Sequence, residues 1–344
     1  MKKCTFFFAA ALVLLATSCN GDLSPEENPA RRVNLTVNVD APYTRATVTE
    51  GLDMTLKNFQ VFVFSDGGKF EDSSSLIIES SQVSMSIIPG NKRIWVLANL
   101  NQALSGITRE SALINRVTSL SSNVFDKFIM SGSEQQIVTV DKELTVSVQR
   151  LACKVVLDKI TRDFTNKSYA EVPMKIKRIY MSNVVGDCDY GCSMTPTIWY
   201  NKLGVVDATI SSEVRNLILD EDINTDLPDG SSYEHTHTFD VYPNPTTTDT
   251  YVAPWSPRHT RLVIECEYNN QTCYYPITIP KANGSDLGVM TRNTEYHIGE
   301  LILKRPGSID PDKPTDEVSS KINATFTITI SPWGGGGSYT EQFI

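Results

Sequence analysis

This 344-residue chain contains many short runs in which apolar and polar residues alternate with a period of two or in which β-branched and other apolar residues predominate. Such alternation is typical of β-strands that bury one face and expose the other. Only residues 109–120 and 212–219 have the spacing of helices, and both segments are short. The pattern therefore predicts an all-β fold with a few short helices. The predicted strands are residues 33–39, 56–64, 83–88, 93–99, 136–140, 144–157, 174–184, 238–242, 261–268, 272–279, 294–303 and 323–330.

The segments between these strands indicate how the sheets are built. Clusters of Gly, Pro, Asn and Ser separate the strands, as in antiparallel sandwiches rather than in βαβ units. The run 144–157 is too long for one ordinary strand, so we expect it to cross from one sandwich into a second. The predicted domains are therefore residues 46–149 and 150–344, which form two tandem antiparallel β-sandwiches.

The first and last predicted strands have the same apolar pattern. The positions that share one face are Val33, Leu35, Val37 and Val39 in the first strand and Ala324, Phe326, Ile328 and Ile330 in the last. Each strand lies beside a segment that its composition predicts to be flexible, so each could leave its own sheet. A protease that cut after Arg45 would release the first strand and leave an apolar groove, which a strand from another copy could fill. The alternative interpretation is that both are ordinary edge strands of a stable sandwich.

The N-terminus predicts that the chain is exported. Lys2 and Lys3 precede an apolar run, and small residues precede Cys19, which is the arrangement of a lipoprotein signal peptide. The apolar run ends well short of the roughly 20 residues that a membrane-spanning helix needs. We therefore predict a signal peptide over residues 1–18, a lipid on Cys19 and a removable propeptide over residues 19–45. An ordinary secretory leader, in which Cys19 is incidental, is the alternative.

Composition and charge argue against one class of partner. The chain has 31 Lys and Arg against 40 Asp and Glu, a formal net charge of −9, and a sequence pI near 5.1. Proteins that bind nucleic acid need a clustered basic face. We therefore expect no nucleic-acid partner, and attachment to a membrane would depend on the lipid of Cys19.

The cysteines beyond the leader suggest two pairs. Cys266 and Cys273 flank a tight turn and could pair across a hairpin, and Cys188 and Cys192 could close a small loop. Export implies an oxidising compartment, in which disulfides persist. Cys153 would remain as a buried free thiol, because its neighbours are apolar. The sequence has no C-x2-C pair, so we do not expect a zinc site built on cysteines.

No pattern of polar residues predicts catalysis. The sequence has no G-x-S-x-G, P-loop or G-x-G-x-x-G motif, and no histidine lies beside a plausible Ser or Cys nucleophile. His235 and His237 could offer two metal ligands on one face of a strand, but the sequence shows no third ligand nearby. The alternating oxygens of residues 220–226 lack the glycine and glutamate of an EF-hand loop, which leaves at most a loose surface calcium site. We expect no enzyme activity, no cofactor and no metal.

Three aromatic residues suggest an alternative function. Trp199, Tyr200 and Trp255 lie in predicted loops near Pro and Asn residues. Exposed aromatic rings can stack on sugars, so a surface lipoprotein that binds a glycan or a protein and keeps its N-terminus is an alternative. We prefer the interpretation in which these side chains close the ends of a sandwich core.

Six segments and the leader together resemble one known family. The segments are Tyr43–Ala46, Leu56–Phe64, Arg93–Leu100, Gln149–Val155, Arg292–Tyr296 and Ile330–Trp333. Each segment is a weak signal alone, whereas their order and spacing over the whole chain are fairly specific. On this basis the chain resembles the fimbrillin family of Bacteroidales type V pili, which includes FimA-like major and minor subunits.

The resemblance implies two transthyretin-like β-sandwiches and a structural role in a cell-surface fimbrium. It implies an outer-membrane lipoprotein precursor with lipid on Cys19, processing between Arg45 and Ala46, and polymerisation with other fimbrial subunits by donor-strand exchange. The donor strand would come from residues 323–344. The resemblance also implies adhesion, with a host protein or glycan as the receptor. The processing site disfavours an anchor subunit, whereas the glycine run at 334–337 and the short tail leave a tip adhesin as an alternative to a shaft or accessory subunit.

Overall fold

A computed structural model describes residues 31–41, 56–124, 127–165, 167–280, 288–312 and 324–333. These residues form many short strands and two short helices, α1 (Glu110–Ile114) and α2 (Ser212–Ile218), with one 3-10 turn at Leu120–Ser122. Neither of the described helices is long and apolar enough to cross a membrane. The predicted all-β fold with a few short helices is confirmed.

The strands are numbered in chain order. The described part of the chain up to residue 150 contains β1 (Val33–Asp40), β2 (Asn58–Ser65), β3 (Phe70–Ser73), β4 (Ile77–Ile78), β5 (Gln82–Ile87), β6 (Gly90–Ala98), β7 (Val117–Ser119), β8 (Met130–Val138), β9 (Lys142–Ser147) and β10 (Gln149–Arg150). The described part after residue 150 contains β11 (Cys153–Arg162), β12 (Met174–Ser182), β13 (Val184–Val185), β14 (Asp187–Asp189), β15 (Trp199–Tyr200), β16 (Leu219–Asp220), β17 (Thr225–Asp226), β18 (Ser232–Val241), β19 (Arg261–Tyr268), β20 (Gln271–Thr278), β21 (Thr294–Ile298), β22 (Leu301–Leu303), β23 (Ala324–Phe326) and β24 (Thr329–Pro332).

The first sandwich consists of two sheets around one apolar core. One sheet has the order β5-β1-β9, and the other has the order β10-β8-β6-β2-β3 with β4 beside β2. Most pairs are antiparallel, but β1 runs parallel to β9. The core takes buried side chains from both sheets: Val33, Leu35, Val37, Val39, Met85, Ile87, Leu144 and Val146 from the first, and Phe59, Val61, Val63, Ile94, Val96, Ala98, Met130 and Val138 from the second.

Strand β2 is buried on both faces, which explains its nearly continuous apolar sequence. Phe59, Val61 and Val63 belong to the core of the first sandwich. Phe62 and Phe64 belong to a second apolar cluster, which continues without interruption into the core of the second sandwich. A strand with both faces covered needs apolar residues at consecutive positions rather than at alternate ones.

The long apolar run that begins at residue 144 passes through three sheets. It forms the end of β9, then β10, and then β11, each in a different sheet. A Cβ atom at Gly132 on β8 would collide with the backbone of Ser147 and Val148. Only glycine allows the chain to approach β8 this closely where it leaves the first sheet.

The second sandwich also has two sheets. Strand β11 is central in one sheet: β18 pairs antiparallel on one side, and β21 and β22 pair parallel on the other, followed by β24 and β23 at the edge. The facing sheet has the order β16-β12-β19-β20, with β17 also beside β12. Its hairpin between β19 and β20 turns at Asn269 and Asn270, whose φ angles of 51° and 58° suit a two-residue turn. The tight turn predicted there is confirmed.

The two helix predictions have different outcomes. Helix α2 is confirmed, and the side chain of Ser211 accepts a hydrogen bond from the Val214 N–H at its N-terminus. The helix predicted over residues 109–120 is wrong beyond Ile114. Val117 and Thr118 are β-branched and pair as β7 with β14 of the second half, so tertiary pairing determines their conformation.

The chain leaves the first sandwich after β10 and enters the second with β11, and this passage lies near the predicted domain boundary. The domain limits themselves stay a prediction, because the signal peptide and most of the propeptide fall outside the described residues.

Candidate functional site

Strand β1 lies in the middle of its sheet. It pairs antiparallel with β5 from Val33 opposite Ile87 to Asn38 opposite Gln82. It pairs parallel with β9 from Leu35 opposite Lys142 to Asp40 opposite Ser147. The interpretation of β1 as an ordinary edge strand is therefore wrong, because β1 pairs with β5 on one side and with β9 on the other.

The apolar face of β1 is part of the core. Leu35 and Val37 have no exposed surface, and Val33 and Val39 are also buried. Burying four such side chains contributes roughly 6–12 kcal/mol, before the entropy of ordering the strand is subtracted. This contribution is comparable to the whole stability of an ordinary domain.

The other face of β1 makes polar contacts with both neighbouring strands. The hydroxyls of Thr36 and Ser84 lie 2.9 Å apart. The Asn38 side chain donates to Glu143 Oε1 at 2.6 Å and accepts from the Gln82 amide at 2.7 Å. These bonds tie β1 to β5 and β9 on the surface that faces away from the core.

We refer to the space that β1 fills between β5 and β9 as the β1 groove. Without β1, its apolar floor and two sheet edges would be open, and edges of this kind pair readily with other strands. Residues 42–55, which connect β1 to β2, lie outside the described residues, and so do the predicted processing site at Arg45 and Ala46 and the predicted lipid site at Cys19. Their roles stay predictions.

The last strand differs from its prediction as one uninterrupted strand over residues 323–330. The structure has two short strands there, which together form what we call the terminal strand, residues 324–332. Strand β23 pairs with β22, and β24 pairs with β21. The register shifts between them because their partner strand is itself interrupted at Gly299 and Glu300. The pattern of residues 323–330 alone does not show this irregularity in the partner.

Among the described residues, the terminal strand pairs on one side only and so forms an edge of its sheet. Ala324 and Ile328 are buried, whereas Phe326 and Ile330 are half-buried. The sequence predicted one apolar face with four equivalent positions, and the structure divides them into two buried and two partly exposed side chains.

Trp333 holds the end of the terminal strand in place. Its side chain is 1% exposed and packs edge-on against Phe128 at 4.9 Å between ring centroids. The Arg150 guanidinium lies 4.2 Å from the centre of the indole ring and donates to the Trp333 carbonyl at 3.1 Å. Arg150 also donates to Asn293 Oδ1 at 3.1 Å. Four segments that are separate in sequence, those of Phe128, Arg150, Asn293 and Trp333, therefore meet at the end of this strand.

Arg292 extends this contact toward the first sandwich. Its guanidinium donates to the Arg150 carbonyl at 3.0 Å and to the Ser131 hydroxyl at 3.0 Å. Ser131 belongs to β8, so this contact joins the two sandwiches. The guanidinium of Arg292 is buried there, and this burial lowers its pKa. In the sequence, residues 149–155, 292–296 and 330–333 stand out only as separate family motifs, whereas in the structure they form one packed junction.

The cysteines proposed as pairs are free thiols in this structure. The sulfurs of Cys188 and Cys192 lie 3.5 Å apart, too far for a covalent bond. Cys266 and Cys273 are directly opposite on β19 and β20. Burial raises the pKa of the Cys266 thiol well above its usual range and that of Cys273 to about 11. Cys153 is buried and free, as predicted.

The aromatic residues considered as a glycan platform pack on protein groups. Trp199 is buried and contacts Trp255 edge-on at 5.5 Å between centroids. The Lys202 ammonium lies 5.1 Å from the centre of the Trp255 ring, and the indole N–H donates to Asn183 at 3.4 Å. These contacts favour the interpretation in which the side chains close an end of the sandwich.

The structure places a third polar group, which the sequence pattern did not predict, beside His235 and His237. Asp220, His235 and His237 each bring a ligand atom within 4.8 Å of the others. Asp220 is separated from the histidines by β17 and two loops, so spacing along the chain gave no signal. Burial lowers the pKa of His237, although the hydrogen bond to Asp220 acts in the opposite direction.

Comparison with known proteins identifies solved structures of similar fold. A proposed cell adhesion protein from Bacteroides eggerthii has 17% identity and a TM-score of 0.64 over 89% of this chain and 97% of its own. A fimbrilin from Porphyromonas gingivalis has 16% identity and a TM-score of 0.60 over 88% and 97%. A tip fimbrial protein from Porphyromonas gingivalis, solved with a C-terminal truncation, has 13% identity and a TM-score of 0.53 over 87% and 99%.

These likenesses establish the fold of the chain. No family model and no curated protein matches the sequence. The resemblance to fimbrillins inferred from the sequence motifs is confirmed at the level of the fold.

Proposed function

We propose that this protein is a structural subunit of a cell-surface fimbrium in which a strand of a neighbouring subunit replaces β1. The observation that carries the proposal is the position of β1: a central, buried strand whose connection to the rest of the chain contains the predicted cleavage site. Support also comes from proteins of similar fold, which include a fimbrilin and a tip fimbrial protein.

Replacement would restore the contacts that removal of β1 breaks. An incoming strand supplies backbone hydrogen bonds to two sheet edges and apolar side chains at every second position. The terminal strand has apolar residues with this spacing at Ala324, Phe326, Ile328 and Ile330. We therefore propose that residues 324–330 of one subunit enter the β1 groove of the next after cleavage between Arg45 and Ala46.

The remaining parts of the proposal concern delivery and role. The lipid on Cys19 would carry the precursor to the outer membrane, and cleavage would release the mature chain into the fimbrium. Its partners would be other fimbrial subunits, and its role adhesion rather than catalysis. Two sandwich domains with limits near residues 46–149 and 150–344 would form the mature subunit.

The first test replaces the proposed cleavage site. The variant Arg45→Ala should remain a full-length monomer, whereas the wild type should begin at Ala46 and form ladders that resist detergent. The measurements are N-terminal sequencing and gel electrophoresis of protein isolated from the producing cells. Arg31→Ala is the matched control, because Arg31 is exposed and lies on the N-terminal side of β1. Wild-type protein that stays unprocessed on cells would contradict the proposal.

The second test replaces one apolar residue of the terminal strand. Phe326 is only half-buried where it packs against the core of its own sandwich, so Phe326→Asp should cost that sandwich less than it costs the fully buried position in the β1 groove. In the β1 groove the same position would be buried, where an unpaired carboxylate costs several kcal/mol. We therefore expect at least a tenfold loss of polymer, since about 1.4 kcal/mol already changes an equilibrium tenfold. Thr325→Asp, on the exposed face, is the control and should polymerise normally.

A tip subunit is the second candidate, and a specific observation favours it. The terminal strand is paired within its own sandwich, and Trp333 holds its end in place. A tip would accept a strand without donating one. If the protein is a tip subunit, the Phe326→Asp variant should therefore be incorporated into fimbriae normally. The Arg45→Ala variant, which is not cleaved, should not be incorporated.

A further inference from the structure

Asp220, His235 and His237 lie where the two sheets of the second sandwich come together at one side. The two histidines are on β18, the edge strand beside β11. Asp220 belongs to β16, which pairs with β12 in the facing sheet. Helix α2 ends immediately before β16 and packs against β18. The three side chains therefore bridge the two sheets.

The buried histidine is oriented by its neighbours. His237 is 2% exposed, and its Nδ1 lies 2.7 Å from Asp220 Oδ2. Its ring stacks on Tyr233 at 5.6 Å and contacts the ring of His235 at 4.9 Å between centroids. The other ring nitrogen, Nε2, is buried and has no hydrogen-bond partner among the described residues. Nε2 points away from Asp220, so an ion held jointly by Asp220 and His237 would bind Nδ1, the nitrogen that already lies beside the carboxylate.

The donor atoms suit a transition metal. Two imidazole nitrogens and one carboxylate oxygen are ligands of Zn²⁺, which binds them at about 2.0–2.2 Å. Such bond lengths place tetrahedral ligands roughly 3.3 Å apart, and the three donors here already lie within 4.8 Å of one another. His235 is exposed, so its side chain is free to rotate toward the other two ligands.

We propose that Asp220, His235 and His237 bind one divalent transition-metal ion of the Zn²⁺ class, with the fourth position open to water. Imidazole ligands disfavour Ca²⁺ and Mg²⁺, which take oxygen ligands. The ion would cross-link β18 to β16, and so connect the edges of the two sheets. Its role is to stabilise the second sandwich at a side where no backbone pairing joins β16 and β18.

The chain offers a matched control for this site. His297 lies in the same sheet, with its Nε2 2.6 Å from Asp158 and its Nδ1 3.9 Å from Glu295. It has carboxylates beside it, as His237 does, but no second histidine completes a group of ligands among the described residues. If binding came from any exposed histidine beside carboxylates, His297 would contribute as much as His235.

The test uses the full chain after treatment with a chelator and desalting. Titration with Zn²⁺ should give one ion per chain by calorimetry and by metal analysis, and Zn²⁺ should raise the unfolding temperature. Titration with Co²⁺ should produce the visible absorption of a low-coordinate site with nitrogen ligands. His235→Ala should weaken Zn²⁺ binding more than about tenfold, since even the loss of a group that orients a ligand costs 10–100-fold.

Two further variants make the result decisive. Asp220→Asn keeps the size of the side chain and removes its charge, and it should also weaken binding. His297→Ala should leave Zn²⁺ affinity unchanged. Because His235 is exposed and His297 is partly exposed, both alanine variants should fold, which circular dichroism will verify. A wild-type chain without stoichiometric binding, or an equal effect of His235→Ala and His297→Ala, would overturn the proposal.

Discussion

Strand β1 and the terminal strand have the same alternating sequence pattern but occupy opposite kinds of position. Strand β1 pairs on both sides and buries all four of its apolar side chains. In the part of the chain that the structure describes, the terminal strand has a partner on one side only, is interrupted after Phe326, and leaves two of its four apolar side chains half-exposed. The buried contacts of β1 are spread along its whole length. The most buried aromatic contact of the terminal strand comes instead from Trp333, which follows its last residue.

The difference shows what each position is suited to in the proposed exchange. A strand that is central in its sheet leaves a costly gap when it is removed, and the same cost becomes the driving force for binding a replacement. An edge strand can be released while both sheets of its sandwich remain paired. The strand with more contacts is therefore suited to be replaced, and the strand with fewer contacts is suited to be donated.

The largest predicted effect comes from removing β1 altogether. A chain that begins at Ala46 should lose roughly 6–12 kcal/mol of apolar burial from the first sandwich. We expect the amides of β5 and β9 to lose protection in hydrogen exchange, because both strands become edges. A chain that ends at Lys321 is the control, and it should lose protection in β21 and β22 but not in β5 and β9. Unchanged protection of β5 and β9 without β1 would show that the two strands do not depend on it.

The next effect tests how the terminal strand is held. Trp333→Ala should lower the free energy of unfolding of the second sandwich by about 3–5 kcal/mol, as for other buried tryptophans. Trp333→Phe keeps an aromatic ring beneath Arg150 and should cost less, and Ile330→Ala should cost less because Ile330 is half-buried. Urea denaturation measures all three. If Ile330→Ala were as damaging as Trp333→Ala, the body of the strand rather than its end would hold it.

The smallest effect concerns the polar face of β1. Thr36→Val removes the hydroxyl that contacts Ser84 at 2.9 Å and keeps a β-branched side chain. It should change the stability of the first sandwich by about 0.5–1.5 kcal/mol, the net value of one hydrogen bond. Leu35→Ala, on the apolar face of the same strand, should cost about 2–5 kcal/mol by the same denaturation measurement. Equal costs on the two faces would mean that the strand is not held by its apolar side.

The sequence predicted the faces of these strands well because the period of two is a local property. It could not predict their places in the sheets. The partners of Leu35 are Met85 and Lys142, which lie far along the chain, and residue periodicity contains no information about such pairing. The break in the terminal strand arises in its partner, near Gly299, and so it also escaped the pattern.

The side-chain groups show the same limit. His235 and His237 were recognised because they are two residues apart on one strand, whereas Asp220 joins them through the approach of two sheets. Arg150, Asn293 and Trp333 were noticed as parts of separate motifs, and their contact became visible only in the structure. Local patterns identified the residues, and the tertiary fold determined which of them meet.

The pairing of β1 has a consequence for the direction in which any strand enters its place. Because β1 is antiparallel to β5 and parallel to β9, those two strands run in opposite directions. A strand of either polarity would then meet one parallel and one antiparallel neighbour, so the backbone edges do not distinguish head from tail. The order of side-chain sizes must make that distinction. The apolar side chains of β1 are nearly uniform in size, whereas those of the terminal strand begin with the small Ala324, which the large Phe326 follows. The polarity of a filament built in this way would be encoded by the bulk of a few apolar side chains.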